Sequence, residues 1–255
     1  MQSRHRHQRI LDILKTNGSV SVEQLVKEFD TSPQTIRADL RDLSSTKKLV
    51  RVHGGARSID RRENLEYEAR RQIAADEKVA IGKAAANLIP NNSSMFVNIG
   101  TTTEAVCAAL SLHKKLLVIT NNINVANSLR IYPEIETVIA GGAVRISDGA
   151  IVGETAVDFI KQFKVDYAII GSSALDVDGS LLDFDIREVK VAQAIIQNAR
   201  TVVLVADSSK FDRSAPVRIG HLSQVDIFVT DRLPNDEIGQ ICSDCDVTVI
   251  EISKS

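Results

Sequence analysis

The stretch from Ser32 to Ala56, SPQTIRADLRDLSSTKKLVRVHGGA, constrains what this chain can fold into more than any other. Ser32 is placed to cap a helix whose first residue is Pro33, where a missing N–H costs nothing. Ile36, Leu40 and Leu43 then recur at core-facing spacing, which leaves Gln34, Thr35, Arg37 and Arg41 on the other faces. LVRVHGG alternates apolar and basic residues before a Gly54–Gly55 turn, the pattern of a two-stranded wing.

Two more helices are expected upstream. Arg6 to Thr16 carries Ile10, Ile13 and Leu14 on one face and ends at Asn17–Gly18, a C-cap signal. Ser21 caps the next, with Gln24 in capping-box spacing and Leu25, Val26 and Phe29 facing inward. Asp30–Thr31 is then a short turn into the Ser32 helix, which makes the pair a helix-turn-helix. Such a helix fits the major groove of double-stranded DNA, with its first residues at base edges and nearby basic groups on phosphates. Gln34 and Thr35 are the candidates for base contacts, and Ser32, Arg37 and Arg41 for phosphates. Arg51, His53 and Arg57 on the wing are placed for the backbone or an adjacent minor groove. A protein-interaction module with a solvated basic face is the plainer alternative.

The charge distribution favours nucleic acid. Residues 1–62 hold 13 Lys and Arg against 7 Asp and Glu, whereas the remainder holds 18 against 26. A basic head on an acidic body is the footprint of a DNA-binding unit joined to something else. No apolar run approaches the roughly 20 residues that cross a bilayer, and no signal core follows the basic start, so a cytoplasmic location is expected. Cys107, Cys242 and Cys245 cannot all pair within one chain. Cys242 and Cys245 form a C-x-x-C that follows a helix instead of opening one and lacks further ligands, so ordinary thiols are expected, with no metal and no cofactor.

Residues 57–75 are charged, lack an apolar stripe and read as a linker, partly helical at most; Glu66, Arg70 and Arg71 are spaced for pairs within a helix. A helix, EKVAIGKAAANLI, follows and stops at Pro90. Beyond it SMFVNIG, KLLVIT, ETVIAGG, VDYAIIGSS, TVVLVAD, VDIFVTD and VTVIEI read as strands. Helical segments lie near TEAVCAAL, INVANSLR, GETAVDFIKQF, REVKVAQAIIQNA and NDEIGQIC. Apolar strands alternating with helices imply an α/β domain with a parallel sheet covered on both faces. In such sheets a ligand sits at the carboxyl ends of strands, near a switch in strand order. Here those ends are polar: Gly100, Thr101, Thr102 and Thr103; Thr120, Asn121 and Asn122; Gly141 and Gly142; Asp176 and Asp178; Asp207 and Lys210. Gly100–Thr103 opens a helix and suits a phosphate.

TSPQTIRADLRDLSSTKKLVRVHGGA resembles the winged helix-turn-helix of the DeoR family of bacterial sugar-catabolism repressors. The family pattern has two basic residues before the Asp–Leu pair; here Ala38 replaces the second. VNIGTTTEAV, VITNNINVANSL, IAGGAVR, IVGE, LDVDGSLLDFDIREVKVAQAII and VADSSKF resemble the family's effector domain, which is similar in fold to ribose-5-phosphate isomerase. FVNIGTTTEAV, TNNINVAN, IVGETAVDFI and DGSLLDFDIREV are similar to members that answer to glycerol 3-phosphate.

The resemblance implies a repressor that binds a double-stranded DNA operator as a homodimer or homotetramer and is released by a phosphorylated effector, glycerol 3-phosphate or a sugar phosphate. It implies that Gly100 to Thr103 and Lys210 hold the phosphate, that Thr120, Asn121 and Asn122 line the pocket, and that Asp176, Asp178, Asp183 and Glu188 meet the hydroxyls. Lys210 paired with Asp207 or Asp212, and Glu188 with Lys190 on an exposed helix face, are the plainer alternatives. A catalytically active isomerase with an appended DNA-binding module is the alternative function, since carboxylates beside a lysine suit proton transfer. The expected layout is a winged helix-turn-helix over 1–57, a linker over 58–75 and an effector domain over 76–255.

Overall fold

The computed structural model describes residues 3–252 apart from Gly18, Lys47, His53 and residues 59–66. It contains two compact units that divide between Asn64 and Leu65. His53, Glu66 and the side chain of Arg57 lie outside the described residues.

In the first unit the order is α1 (Ser3–Asn17), β1 (Ser19–Ser21), α2 (Val22–Phe29), α3 (Pro33–Ser45), β2 (Leu49–Val52) and β3 (Gly55–Ser58). Ser21 and Gln24 form the reciprocal capping box at the start of α2. Ser32 Oγ accepts from the Thr35 amide at 3.2 Å to start α3. Ile10, Leu14, Leu25, Ile36, Leu40, Leu43 and Leu49 fill one buried core. The wing has a third strand that the sequence pattern does not announce: the order is β1–β3–β2, antiparallel throughout.

Gly55 stands in β3, paired with Val52, and so does not share the turn expected at Gly54–Gly55. Gly54 takes the left-handed conformation there at φ 78°. Gly55 has a different reason to be glycine: a Cβ on it would stand 2.2 Å from the Val20 carbonyl of β1.

One buried charge ties the first helix to the third. Asp39, buried on the inner side of α3, accepts from Arg6 Nε at 2.5 Å and Nη2 at 3.0 Å, and stands 2.9 Å from His7 Nε2. These partners hold its carboxyl below the usual range, against the opposite pull of burial.

The second unit runs α4 (Tyr67–Gln72), α5 (Ala75–Ala86), β4 (Ser94–Val97), α6 (Thr101–Ala108), β5 (Leu116–Thr120), α7 (Ile123–Leu129), β6 (Ile135–Ile139) and β7 (Ala143–Val144). There follow β8 (Ile151–Val152), α8 (Glu154–Ile160), β9 (Val165–Ile170), β10 (Ala174–Leu175), β11 (Ser180–Asp183), α9 (Ile186–Gln197) and β12 (Ala199–Val205). The chain closes with β13 (Val217–His221), β14 (Ile227–Thr230), α10 (Asp236–Asp244) and β15 (Thr248–Glu251). The seven apolar runs form a single parallel sheet in the order β15–β14–β12–β9–β4–β5–β6. Side chains of α5, α6 and α7 pack in the core of one face, and those of α8, α9 and α10 in the core of the other. A small antiparallel sheet, β10–β11–β13, and the β7–β8 hairpin are additions the sequence pattern does not announce.

Part of the stretch expected as linker belongs to this body, since α4 and the start of α5 lie within 67–75. Its anchors are polar, which is why no apolar stripe marks it. Among the described residues, no helix is long and apolar enough to cross a membrane.

Replacing Asp39 with alanine leaves Arg6, its side chain 13% exposed, without its carboxylate partner. Breaking such a buried pair costs about 3–5 kcal/mol. The expected outcome is a first unit unfolding at markedly lower urea concentration, with the melting of the second unit unchanged; coincident transitions in the variant and parent would overturn it.

Candidate functional site

The parallel sheet begins at β4 and grows from it in both directions, to β5 and β6 on one side and to β9, β12, β14 and β15 on the other. The connections after β4 and β9 therefore diverge, and a crevice opens at the carboxyl ends of those two strands. Its lining includes Gly100 to Thr103 after β4, Gly171 to Ser173 after β9, Asp183 of β11, Glu188 of α9, Lys210 after β12 and Arg70 of α4. About 410 Å³ of space lies within and in front of these residues, open solvent included.

The α6 end of this crevice is built for an anion. Gly100, at φ 146°, turns the chain from β4 into α6, and no side chain caps the helix. Its first-turn amides thus lack intrahelical partners and present the positive end of the helix dipole. Thr103 takes no direct part through its hydroxyl, which is fully buried and lies 2.7 Å from the Asn98 carbonyl and 2.8 Å from that of Gly100.

Lys210 is the complementary cation. It is 9% exposed, and among the described residues its ammonium has no carboxylate within ion-pair distance, neither Asp207 nor Asp212. Burial, helped by the nearby charges of Arg213, Lys78 and Arg70 and opposed by Asp207, pulls Lys210 down to about 7. Burial also lowers Lys78 and Arg213 from their usual ranges. Asp207 Oδ1 is occupied by the Ser209 amide at 3.2 Å, and its buried Oδ2 has no hydrogen-bond partner among the described residues. One carboxylate thus faces several crowded cations.

The other wall carries hydroxyls and carboxylates. Ser173 Oγ donates to Asp183 Oδ2 at 2.9 Å, while the buried Ser172 Oγ has no partner among the described residues. Glu188 is buried and stands 2.5 Å from Arg145 Nη2, so the plainer reading of an exposed face fails for it. That reading holds for Lys190, exposed and paired with Glu154 at 2.5 Å. Burial and then the Asp183 charge push Glu188 up to about 8, against the pull of Arg145.

Several expected residues do not line the crevice. Thr120 Oγ1 donates to the Val97 carbonyl at 2.7 Å, and Asn121 Nδ2 to that of Ile151 at 3.3 Å, while the buried Asn121 Oδ1 has no partner among the described residues. Asn122 caps α7 and donates to Glu104 Oε1 at 2.9 Å. Gly141 and Gly142 join β6 to β7. Asp176 and Asp178 are exposed in the β10–β11 turn, where they accept from the Val177 and Ser180 amides at 2.8 and 2.9 Å. Each is a polar strand end that serves the backbone.

Sequence reasoning misses Arg70, Arg145 and Asp148. Asp148 is buried and accepts from Arg145 at 2.8 and 2.7 Å and from Arg70 at 2.9 Å. Arg145 also reaches Asp185 at 3.3 Å. These groups come from three separate stretches of chain and form no local motif.

In the first unit Gln34, Arg37, Arg41 and Arg51 are exposed. Thr35 is half-buried, and its hydroxyl lies 2.9 Å from that of Ser32. Ala38 is half-buried on α3, one turn from both Gln34 and Asp42. Cys242 is buried in α10, burial raises its thiol, and no metal-binding group of three or more His, Cys, Asp or Glu exists among the described residues.

Comparison with known proteins bears on both units. Residues 6–62 match the DeoR-like helix-turn-helix domain, and residues 73–232 the DeoR C-terminal sensor domain. The chain is 44% identical to the glycerol-3-phosphate regulon repressor of Escherichia coli over 96% of its length and 97% of the relative's. Identity to the repressor of that name from Haemophilus influenzae is 47%, over 92% and 91%. The transcriptional repressor CsqR of Escherichia coli is 36% identical over 96% and 94%. Among solved structures, ribose 5-phosphate isomerase A of Methanocaldococcus jannaschii aligns at a TM-score of 0.40 and 17% identity, over 54% of this chain and 55% of that one.

The low value of Lys210 sets a pH dependence for anion binding. A bound dianion favours the charged ammonium, so binding takes up a proton wherever free Lys210 is neutral. Affinity for inorganic phosphate is therefore expected to weaken as pH rises from 7 to 9, by up to about tenfold per unit. Calorimetry across that range checks it, and a flat profile would exclude Lys210 from the phosphate.

Proposed function

The chain belongs to the DeoR family, and on that premise we propose that it is a transcriptional repressor of a polyol or sugar catabolic operon, released from its operator by glycerol 3-phosphate. The relatives that it matches along nearly its whole length are repressors and not enzymes, so the isomerase alternative is set aside. The observation that carries the effector half is Lys210, a nearly buried ammonium without a carboxylate, beside the uncapped start of α6. A phosphate dianion supplies the charge that this arrangement lacks. The amides of Gly100 to Thr103 take its oxygens, and Ser172, Asp183 and Glu188 take the hydroxyls of the polyol.

For the DNA half, Gln34 and Thr35 read bases while Ser32, Arg37, Arg41, Arg51, His53 and Arg57 serve the backbone or an adjacent minor groove. A palindromic operator calls for a symmetric homodimer or homotetramer. A chromosomal target places the protein in the cytoplasm.

The reading is tested by titrating the full chain on operator DNA with glycerol 3-phosphate. Release by that compound and not by glycerol supports it; operator affinity indifferent to every phosphorylated polyol and sugar would sink the effector half. Arg37→Ala should weaken binding to all sequences and reduce the slope of log affinity against log salt by about 0.9. Gln34→Ala should instead relax preference at one base pair by about 1–3 kcal/mol while leaving that slope unchanged. Both follow from anisotropy titrations at several salt concentrations.

A further inference from the structure

Arg70 stands apart from the other residues that line the crevice. All the rest fall within the sensor-domain match, which begins at residue 73, and the helix-turn-helix match ends at residue 62. Arg70 sits between the two, on the helix that enters the body directly after the DNA-binding unit in the chain. That helix, α4, is only six residues long, too short to persist without tertiary anchors.

Polar contacts anchor it to the body. The Tyr67 hydroxyl donates to Glu104 Oε2 at 2.5 Å, and Glu104 lies in the first turn of α6. Lys78 Nζ donates to the carbonyls of Ile73, at 2.6 Å, and Arg70. The Arg70 side chain is 11% exposed and donates to Asp148. Asp148 already has a bidentate partner in Arg145, so its charge stays matched when Arg70 turns elsewhere.

Charge balance completes the argument. A phosphate monoester carries about −1.5 to −2 at neutral pH, and Lys210 offers a single positive charge. Arg70 is the second cation of the lining, and its planar fork of five donors suits a phosphoryl group while retaining a carboxylate.

We infer that Arg70 is an effector-binding residue, whose guanidinium grips the phosphoryl group at the start of α6 and carries occupancy of the crevice to α4. The inference rests on the phosphorylated-effector reading above. Arg70 does this by sharing or exchanging its contact with Asp148. The carboxylate wall of Asp183 and Glu188 is left to the polyol.

The test uses the full-length chain, with glycerol 3-phosphate and inorganic phosphate as separate probes in calorimetry. Arg70→Ala should lose about 10–100-fold in affinity for both probes, by a similar factor, because the lost contact is to the phosphoryl group that they share. Arg70→Lys should lose less than alanine does, since it keeps the charge but not the fork; it also decides the matter if the alanine variant does not fold. The effector concentration that releases operator DNA should rise with the loss of affinity or beyond it. Wild-type affinity of both variants for both probes overturns the inference while the phosphorylated-effector reading stands. A loss confined to glycerol 3-phosphate also overturns it, because Arg70 would then act on the polyol end. If the parent chain binds neither probe nor any sugar phosphate, both readings fail together.

Discussion

The sheet grows outward from β4 in both directions, and this constraint organises the body. Connections on either side of the switch must leave by opposite routes, so no crossover covers the carboxyl ends of β4 and β9. The backbone ending β4 turns sharply at Gly100 and enters α6 without a capping side chain. From that follows an uncapped helix start in a crevice, a local positive potential, and room for a group that is not protein. Lys210 reaches the same place from the turn after β12. The electrostatics of the site is thus a consequence of strand order before it is a matter of particular side chains.

Charged pairs act as fasteners where apolar packing is thin. In the first unit Asp39 binds Arg6 and His7 and so fixes α1 against the buried side of α3. The opposite side of α3 stays open for Gln34, Arg37 and Arg41. In the second unit Asp148 binds Arg145 and Arg70 and so fixes α4, a segment with few apolar residues of its own. The two carboxylates differ in what surrounds them. Asp39 is enclosed by its partners within one small core, whereas Asp148 shares Arg70 with a crevice wall.

Much of this was legible in the sequence, for identifiable reasons. The seven sheet strands stand out because each is an apolar run bounded by polar turns, the signature of burial on both faces. The caps at Ser21 and Ser32 are local chemistry and were readable one residue at a time. Strands of two to four residues such as β1, β7 and β10 are too short for a period to show. Polar strand ends are ambiguous in sequence. Thr120, Asn121, Gly100 and Thr101 look alike in sequence, but Thr120 Oγ1 and Asn121 Nδ2 donate to backbone carbonyls inside the fold, whereas Gly100 and Thr101 line the crevice. Only the strand order separates these cases. Arg70 was hidden differently, since an ionic anchor to a residue 78 positions away leaves no pattern in its own neighbourhood.

The distribution of the site over two kinds of element bears on how occupancy becomes a signal. A ligand shifts an equilibrium only by the difference between its affinities for the two states, and about 5.5 kcal/mol of difference turns 1:99 into 99:1. Contacts made identically in both states raise affinity and shift nothing. The amides of α6, Lys210 and Asp183 are rooted in the sheet and its immediate turns, the most over-determined part of the fold. On the proposed reading they supply affinity common to both states. Arg70 is rooted in a six-residue helix held by a handful of polar contacts, outside the apolar layers. A contact from such an element is the one whose geometry differs between states at small cost. On the proposed reading, affinity and signal therefore divide along the line that separates the sheet from the short helix α4.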